Sequence, residues 1–244
     1  MSQYKLIYKP MGSIAVLIEW PYEIDKKIIS NIRLFKSKIK IELSDFIIDT
    51  VPAYNSLTVF FDTEKIKYSS IVKKIKELYE LNDQKLKINS ILWKIPVCYD
   101  EIFGIDINEI ARVKRISKER VIKIHSDVIY DVFFIGFLPG FLYMGGLSEE
   151  LHSKRKSKPR RKIEKGAIGI AGDQTGIYPR ESPGGWNIIG NSPINIFDVR
   201  SDPPCFAKAG DKIQFVPIDL NTHQKIAEQI KSGTYIIEKE VYEQ

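Results

Sequence analysis

The sequence predicts two domains of different class, an α+β domain over residues 1–90 and a mainly-β barrel over residues 91–244. Three observations carry this. The first 90 residues alternate strand-like and helix-like patterns. From Val128 onward the chain breaks into short apolar runs separated by Gly and Pro. A length of 244 residues is long for one compact domain and comfortable for two small ones.

Taken in order, Tyr4–Tyr8 and Ser13–Trp20 read as strands joined by a turn at Pro10 and Gly12. Asp25 can cap a helix to about Ile39, because Ile28, Ile32, Phe35 and Ile39 fall at helical spacing. Phe46–Tyr54 and Leu57–Asp62 form a second strand pair. A second helix starts near Ser69 or Ser70, with Ile71, Val72, Ile75, Leu78 and Tyr79 as its apolar face, and Leu86–Val97 is a further strand. That order fits helices packed on one face of a mainly antiparallel sheet. Asp106–Arg115 and Ser117–His125 read as short helices, the second capped by Ser117. Strands are then expected at Val128–Gly136, Ala167–Ala171, Trp186–Ile189, Ile194–Val199 and Lys212–Ile218, a spacing typical of barrels. A helix over Thr222–Lys231, a Gly233 C-cap and a strand at Tyr235–Lys239 close the chain.

Hydrophobic residues make up 43% and charged residues 28%, so a packed core is expected rather than disorder. No apolar run approaches the ~18 residues of a membrane span, and the N-terminus lacks a signal-peptide pattern. A cytoplasmic location without membrane association is the expectation, with Cys98 and Cys205 reduced. The net charge is +6. Its densest cluster, Lys154 to Lys162, lacks interleaved aromatic residues and reads as a solvated loop rather than a nucleic-acid contact.

Several chemistries are excluded by what is missing. None of the 15 glycines precedes a lysine, so there is no Walker-type phosphate loop. There is no Gly-x-Ser-x-Gly elbow and no His-Glu-x-x-His, and His125, His152 and His223 lack ligand spacing. No cofactor or metal is expected on this chain.

Two segments stand out. Residues 135–147 place four glycines and Pro139 among aromatics, too broken for a regular strand and too apolar for an ordinary loop. Phe137 and Phe141 either pack the barrel or wall a pocket or partner surface. Residues 169–186 hold Gln174, Thr175, Tyr178, Arg180 and Ser182 among five glycines and two prolines, where backbone N–H groups and polar side chains can meet a ligand.

These segments resemble a known family. Ile135–Leu147, including Phe137, Pro139, Gly140 and Phe141, is similar to its G-F-x-P-G-F-x-Y-x-G-G-L motif. Pro159-Arg160, Gly166–Gly172, Gln174–Pro179 and Ser182–Trp186 are similar to its P-R, G-x-x-G-I-A-G, Q-T-G-I-Y-P and S-P-G-G-W blocks, in the same order. Ile95–Tyr99 and Pro52–Phe61 match further stretches, and Asp173 and Lys154 depart from the pattern. The family contains the B subunit of bacterial 5-oxoprolinase, the first subunit of allophanate hydrolase and the Kip-type sporulation-kinase inhibitor.

The resemblance implies a cyclophilin-like barrel and a multi-subunit hydrolase. An ATP-binding partner, the A subunit of 5-oxoprolinase, activates 5-oxoproline. This chain and a related barrel, the C subunit, then complete ring opening to glutamate. Candidate donors for the developing oxyanion are Gln174, Tyr178 and N–H groups near Gly172, Gly184 and Gly185, while Arg155 or Arg160 can hold a phosphate or carboxylate. His125 is a candidate base by residue type, and a packed histidine ending an amphipathic helix is the plainer reading. Large apolar groups at Phe137, Phe141 and Trp186 are expected to need cover from a second barrel. The alternatives are a binder that blocks a histidine kinase, and half of a urea-carboxylase-like carboxyltransferase.

Overall fold

The structure, a computed structural model, describes residues 4–23, 25–81 and 90–242. The chain divides into two compact units, Met1–Ile88 and Asn89–Gln244.

In the first unit, strands β1 (Ile7–Met11), β2 (Ala15–Glu19), β3 (Ile47–Pro52) and β4 (Ser56–Phe61) form an antiparallel sheet in the order β1-β2-β4-β3. Helices α1 (Lys26–Glu42) and α2 (Tyr68–Glu80) pack with it. Strand alternation sends Leu57, Val59 and Phe61 into the core, where they meet Ile28, Ile32, Phe35 and Ile39 of α1 and Ile71, Ile75 and Leu78 of α2. Asp25 caps α1, its carboxylate accepting from Lys27 N at 2.8 Å. The expected turn at Pro10 is instead part of β1, and the reversal lies at Gly12 with φ +63°.

The second unit opens with β5 (Ser90–Cys98), helices α3 (Ile107–Lys114) and α4 (Lys118–Ser126), β6 (Ile129–Ile135) and β7 (Leu142–Gly145). It continues through β8 (Arg160–Ile163), β9 (Ala167–Ala171), β10 (Gln174–Ile177), β11 (Ser182–Gly184), β12 (Asn187–Asn191) and β13 (Lys212–Ile218). Helix α5 (Leu220–Lys231) and β14 (Lys239–Tyr242) complete it. Seven strands close a barrel in the order β5-β13-β6-β7-β10-β9-β12, with Asn191 of β12 paired to Cys98 of β5. β14 adds to the other end of that same β5 edge, and β8 and β11 form a separate ribbon. Ile95, Val97, Tyr130, Val132, Leu142, Met144, Ile168, Ile170, Ile177, Ile213 and Phe215 fill the interior.

The structure corrects several expectations. The segment Ile194–Val199 is not a strand; it holds one isolated bridge, Phe197 to Cys205. The last strand starts at Lys239, where the sequence pattern ended it. Residues 86–89 of the expected strand Leu86–Val97 lie outside the described residues. The aromatic segment, the basic run and the polar loop contain strands β7, β8, β10 and β11, which sequence patterning read as loop. Their glycines, prolines and charges break the apolar runs by which strands are read. Among the described residues no helix is long and apolar enough to cross a membrane.

Candidate functional site

Strands β7, β10 and β9 are in register, with Thr175 opposite both Met144 and Ile170, and Gly176 opposite both Tyr143 and Gly169. Alternation points Thr175 and Ile177 inward, and Gly176 and Gly169 outward. The outward glycines leave room. A Cβ on Gly176 would lie 3.0 Å from Phe141 and Trp186, and one on Gly169 would lie 3.0 Å from Trp186. Here glycine permits close approach of rings to the sheet. Phe141, Tyr178 and Trp186 form an outer aromatic cluster with Ile163 and Ile188. Their rings meet edge-to-face, Phe141 to Tyr178 at 5.0 Å and Phe141 to Trp186 at 5.5 Å.

Over this cluster lies a cavity of ≈ 280 Å³ lined by Phe137, Phe141, Tyr143, Arg155, Pro159, Tyr178, Pro183, Gly184, Gly185 and Trp186. Its size is near the lower end of small-molecule pockets, about 300–1,000 Å³. The Arg155 guanidinium stands 5.7 Å from the Trp186 ring centroid. Phe137, 63% exposed with φ +62°, forms part of the lining. Burial pushes the Tyr178 phenol up to about 12, opposed by a hydrogen bond with the Trp186 backbone. Tyr178 is therefore neutral at physiological pH.

Eight of the sequence-derived site residues line this cavity: Phe137, Phe141, Arg155, Pro159, Tyr178, Gly184, Gly185 and Trp186. The others do not. Gly172 and Gln174 sit at the β9–β10 hairpin, where Gly172 has φ +60° and exchanges backbone bonds with Ser153. Pro139 and Gly140 form the β6–β7 turn, with Gly140 tight against Phe197. Ser182 is buried, and its hydroxyl donates to the Pro183 carbonyl at 3.2 Å.

Arg160 is committed elsewhere. Its guanidinium grips Asp106 through bonds of 2.9 and 2.6 Å. Asp106 is 2% exposed and also accepts from Ile188 N at 2.7 Å and from Lys156 Nζ at 2.9 Å. Burial raises the Asp106 pKa, but the bonds from Arg160, Ile188 and Lys156 outweigh it and hold the carboxyl below its ordinary value.

His125 and Thr175 belong to the barrel interior, so the candidate base is corrected to a core residue. His125 is fully buried and stacks on Phe215 at 4.6 Å. Thr175 Oγ1 donates to the Gly169 carbonyl at 3.1 Å, so it accepts from His125 Nε2–H at 2.9 Å. His125 Nδ1 then accepts from the Tyr99 hydroxyl at 2.7 Å. Both ring nitrogens are saturated by a neutral imidazole, and burial holds its pKa at about 3. The expectation that Phe141 and Trp186 need a partner's cover is also corrected: the chain itself buries them to 1% and 4% exposure, leaving Phe137 as the open ring.

A family profile described as "Carboxyltransferase domain, subdomain C and D" matches residues 6–207. The chain belongs to this family. It is 34% identical to the 5-oxoprolinase B subunit of Bacillus subtilis over 229 residues, covering 90% of this chain and 95% of that one. The Haemophilus influenzae protein of the same description is 38% identical, covering 70% and 79%. "Urea amidolyase" of Saccharomyces cerevisiae is 25% identical over 98% of this chain but only 15% of that protein. Among solved structures, TTHA0988 superposes with a TM-score of 0.74 at 28% identity. The match covers 84% of this chain, which spans about two fifths of the longer one. Urea amidolyase of K. lactis superposes with a TM-score of 0.82 at 20% identity, over 98% of this chain and 16% of that one, a likeness of fold.

Proposed function

We propose that this chain is the B subunit of a multi-subunit 5-oxoprolinase, and that it completes the opening of activated 5-oxoproline to glutamate together with a second barrel, the C subunit. The observation that carries this is the 34% identity to the Bacillus subtilis B subunit along 95% of that protein's length. In this reading ATP is used by a partner, the A subunit, and the isolated chain is inactive. The cavity beside Trp186 offers what a small ring substrate needs: aromatic walls, one cation and the backbone of Gly184 and Gly185. The chemistry is hydrolysis of an activated lactam. Phe137, the ring this chain leaves open, is the point where a partner would close the site.

The test is co-expression with the ATP-binding and second-barrel subunits, followed by assay of 5-oxoproline-dependent ATP hydrolysis. We expect turnover only when all three are present, and no ATP binding by this chain alone. A complete complex with no 5-oxoproline dependence would overturn the reading. A second reading, half of a carboxyltransferase, is favoured by the 25% identity to urea amidolyase. It predicts transfer of a carboxyl group from a biotin-bearing partner instead. Inhibition of a histidine kinase by the pure chain would point to the remaining alternative.

A further inference from the structure

The cavity beside Trp186 holds one charged side chain, Arg155, and no acid lines it. The other cations of the basic run divide in two. Lys156 and Arg160 are tied to Asp106, and Lys162 pairs with Glu181 at 2.8 Å. Lys154, Lys158 and Arg161, like Arg155, have no acidic partner among the described residues, and none of those three lines the cavity beside Trp186. An arginine placed over an indole ring gains a cation–π attraction and still has N–H groups to offer an anion. Aromatic walls with a single cation suit a flat, compact ligand bearing one carboxylate.

The loop that carries Arg155 is held on both sides. Before it, Ser153 and Gly172 exchange two backbone bonds, of 3.1 and 2.6 Å, and Asn187 Nδ2 donates to the Lys154 carbonyl at 3.0 Å. After it, Lys156 N donates to the Gly185 carbonyl at 2.7 Å. The Lys156 ammonium and the Arg160 guanidinium then converge on the buried Asp106. Asp106 does not line the cavity, yet it fixes the residue after Arg155 and the residue five positions on.

We propose that Arg155 binds the carboxylate of a small cyclic acid in this cavity, and that Asp106 is a positioning residue that holds Arg155 over Trp186 to do so. Naming that acid as 5-oxoproline rests on the function proposed above; the carboxylate site itself does not.

The experiment is a titration of the ¹⁵N-labelled full chain, read at the Trp186 indole signal assigned with Trp186→Phe. Three probes are used: 5-oxoproline, pyrrolidin-2-one, which lacks the carboxylate, and cyclopentanecarboxylate, which lacks the lactam. Both carboxylates should shift the signal, and the neutral lactam should bind at least about tenfold more weakly. Arg155→Ala should weaken both carboxylates by about 10–100-fold and leave pyrrolidin-2-one unchanged. Asp106→Asn should lower the carboxylate-to-neutral preference in the same direction, whereas a merely structural role would lower the melting temperature and leave that ratio intact. Arg155→Lys should restore part of the preference.

Equal binding of the three probes, no shift with either carboxylate, or wild-type affinity in Arg155→Ala would overturn the carboxylate site. An unchanged ratio in Asp106→Asn would overturn the positioning role. Arg155-dependent binding of cyclopentanecarboxylate, with no 5-oxoproline turnover by the assembled subunits, would sustain the site and overturn the 5-oxoprolinase reading.

Discussion

Strand β10 separates two polar environments built from adjacent residues. Inward, Thr175 receives His125 in a chain of hydrogen bonds from Tyr99 to the Gly169 carbonyl. Outward, Gly176 makes room for Phe141 and Trp186, and the Arg155 guanidinium lies over the Trp186 ring. The inner group is the histidine that residue type alone marks as a base, and the outer is an arginine within a run of surface charge. Burial decides between them. A polar atom inside the barrel must be paired, so His125 has no capacity left for a substrate. The cavity-lining cation stays in contact with water and keeps donors to spend.

The largest test of this contrast is His125→Ala. It leaves the Tyr99 hydroxyl without its acceptor and opens a cavity in the core, so we expect a loss of about 4 kcal/mol in denaturant unfolding. The carboxylate titration of the fraction that still folds should be unaffected. Loss of binding without loss of stability would reverse the assignment of the two faces.

The pH dependence of stability is the next largest effect. The folded His125 has a pKa of about 3 against an ordinary value of 6.5. Its neutral form is native, so the unfolded chain takes up a proton first as pH falls. Its contribution is complete above about 6.5 and declines by about 1.4 kcal/mol per pH unit below that, until the folded pKa is reached. His125→Gln should flatten this slope between pH 6.5 and 5, as measured by urea midpoints. Asp106 acts lower, because its carboxyl is held below the ordinary value and its contribution is lost only as pH falls below about 4.

On the outer face, Gly184→Ala places a Cβ 2.3 Å from the Tyr178 hydroxyl and 2.6 Å from Ile163. We expect a cost of about 1–3 kcal/mol and displacement of the Tyr178 wall, seen as weaker binding in the Trp186 titration. The smallest effect on stability is predicted for Phe137→Gly. Glycine relieves the positive φ and removes a ring that is mostly exposed, so stability should change by less than about 1 kcal/mol. Turnover by the assembled subunits should nonetheless fall, which separates a residue kept for function from one kept for folding.

The sequence made some of this legible and hid the rest for definite reasons. Two helix starts were readable because Asp25 and Ser117 stand at N-caps and make capping bonds, whereas the apolar pattern began the last helix at Thr222 and missed the cap at Asp219. Strands Ala167–Ala171 and Lys212–Ile218 were readable to the residue from apolar content. β10 was hidden because Gln174, Thr175 and Gly176 read as turn chemistry. The usable signal was apolar-Gly-apolar at Ile168-Gly169-Ile170, followed by Thr175-Gly176-Ile177, a strand alternation in which glycine marks a face approached by something large. Arg155 and Trp186 are visible through motif blocks and a basic run. Asp106 is not visible as a site residue, because it lies 54 positions from Arg160 and no local pattern joins them.

The closure of the barrel has a consequence for how the chain is made. β5 begins the second unit, but β13 supplies one of its edges through seven paired residues, while β14 and β12 share the other. Trp93 on β5 bonds Asp211, just before β13, across a separation of 118 residues. A ribosome therefore releases β5 long before its main partner exists, and the edge that β13 covers stays open until β13 is made. Pairings of such long range impose a large loop-closure cost and slow folding. Assembly of this unit is in that sense a late, single event, and a growing chain halted before Lys212 would present both β5 and β6 as open edges for aggregation.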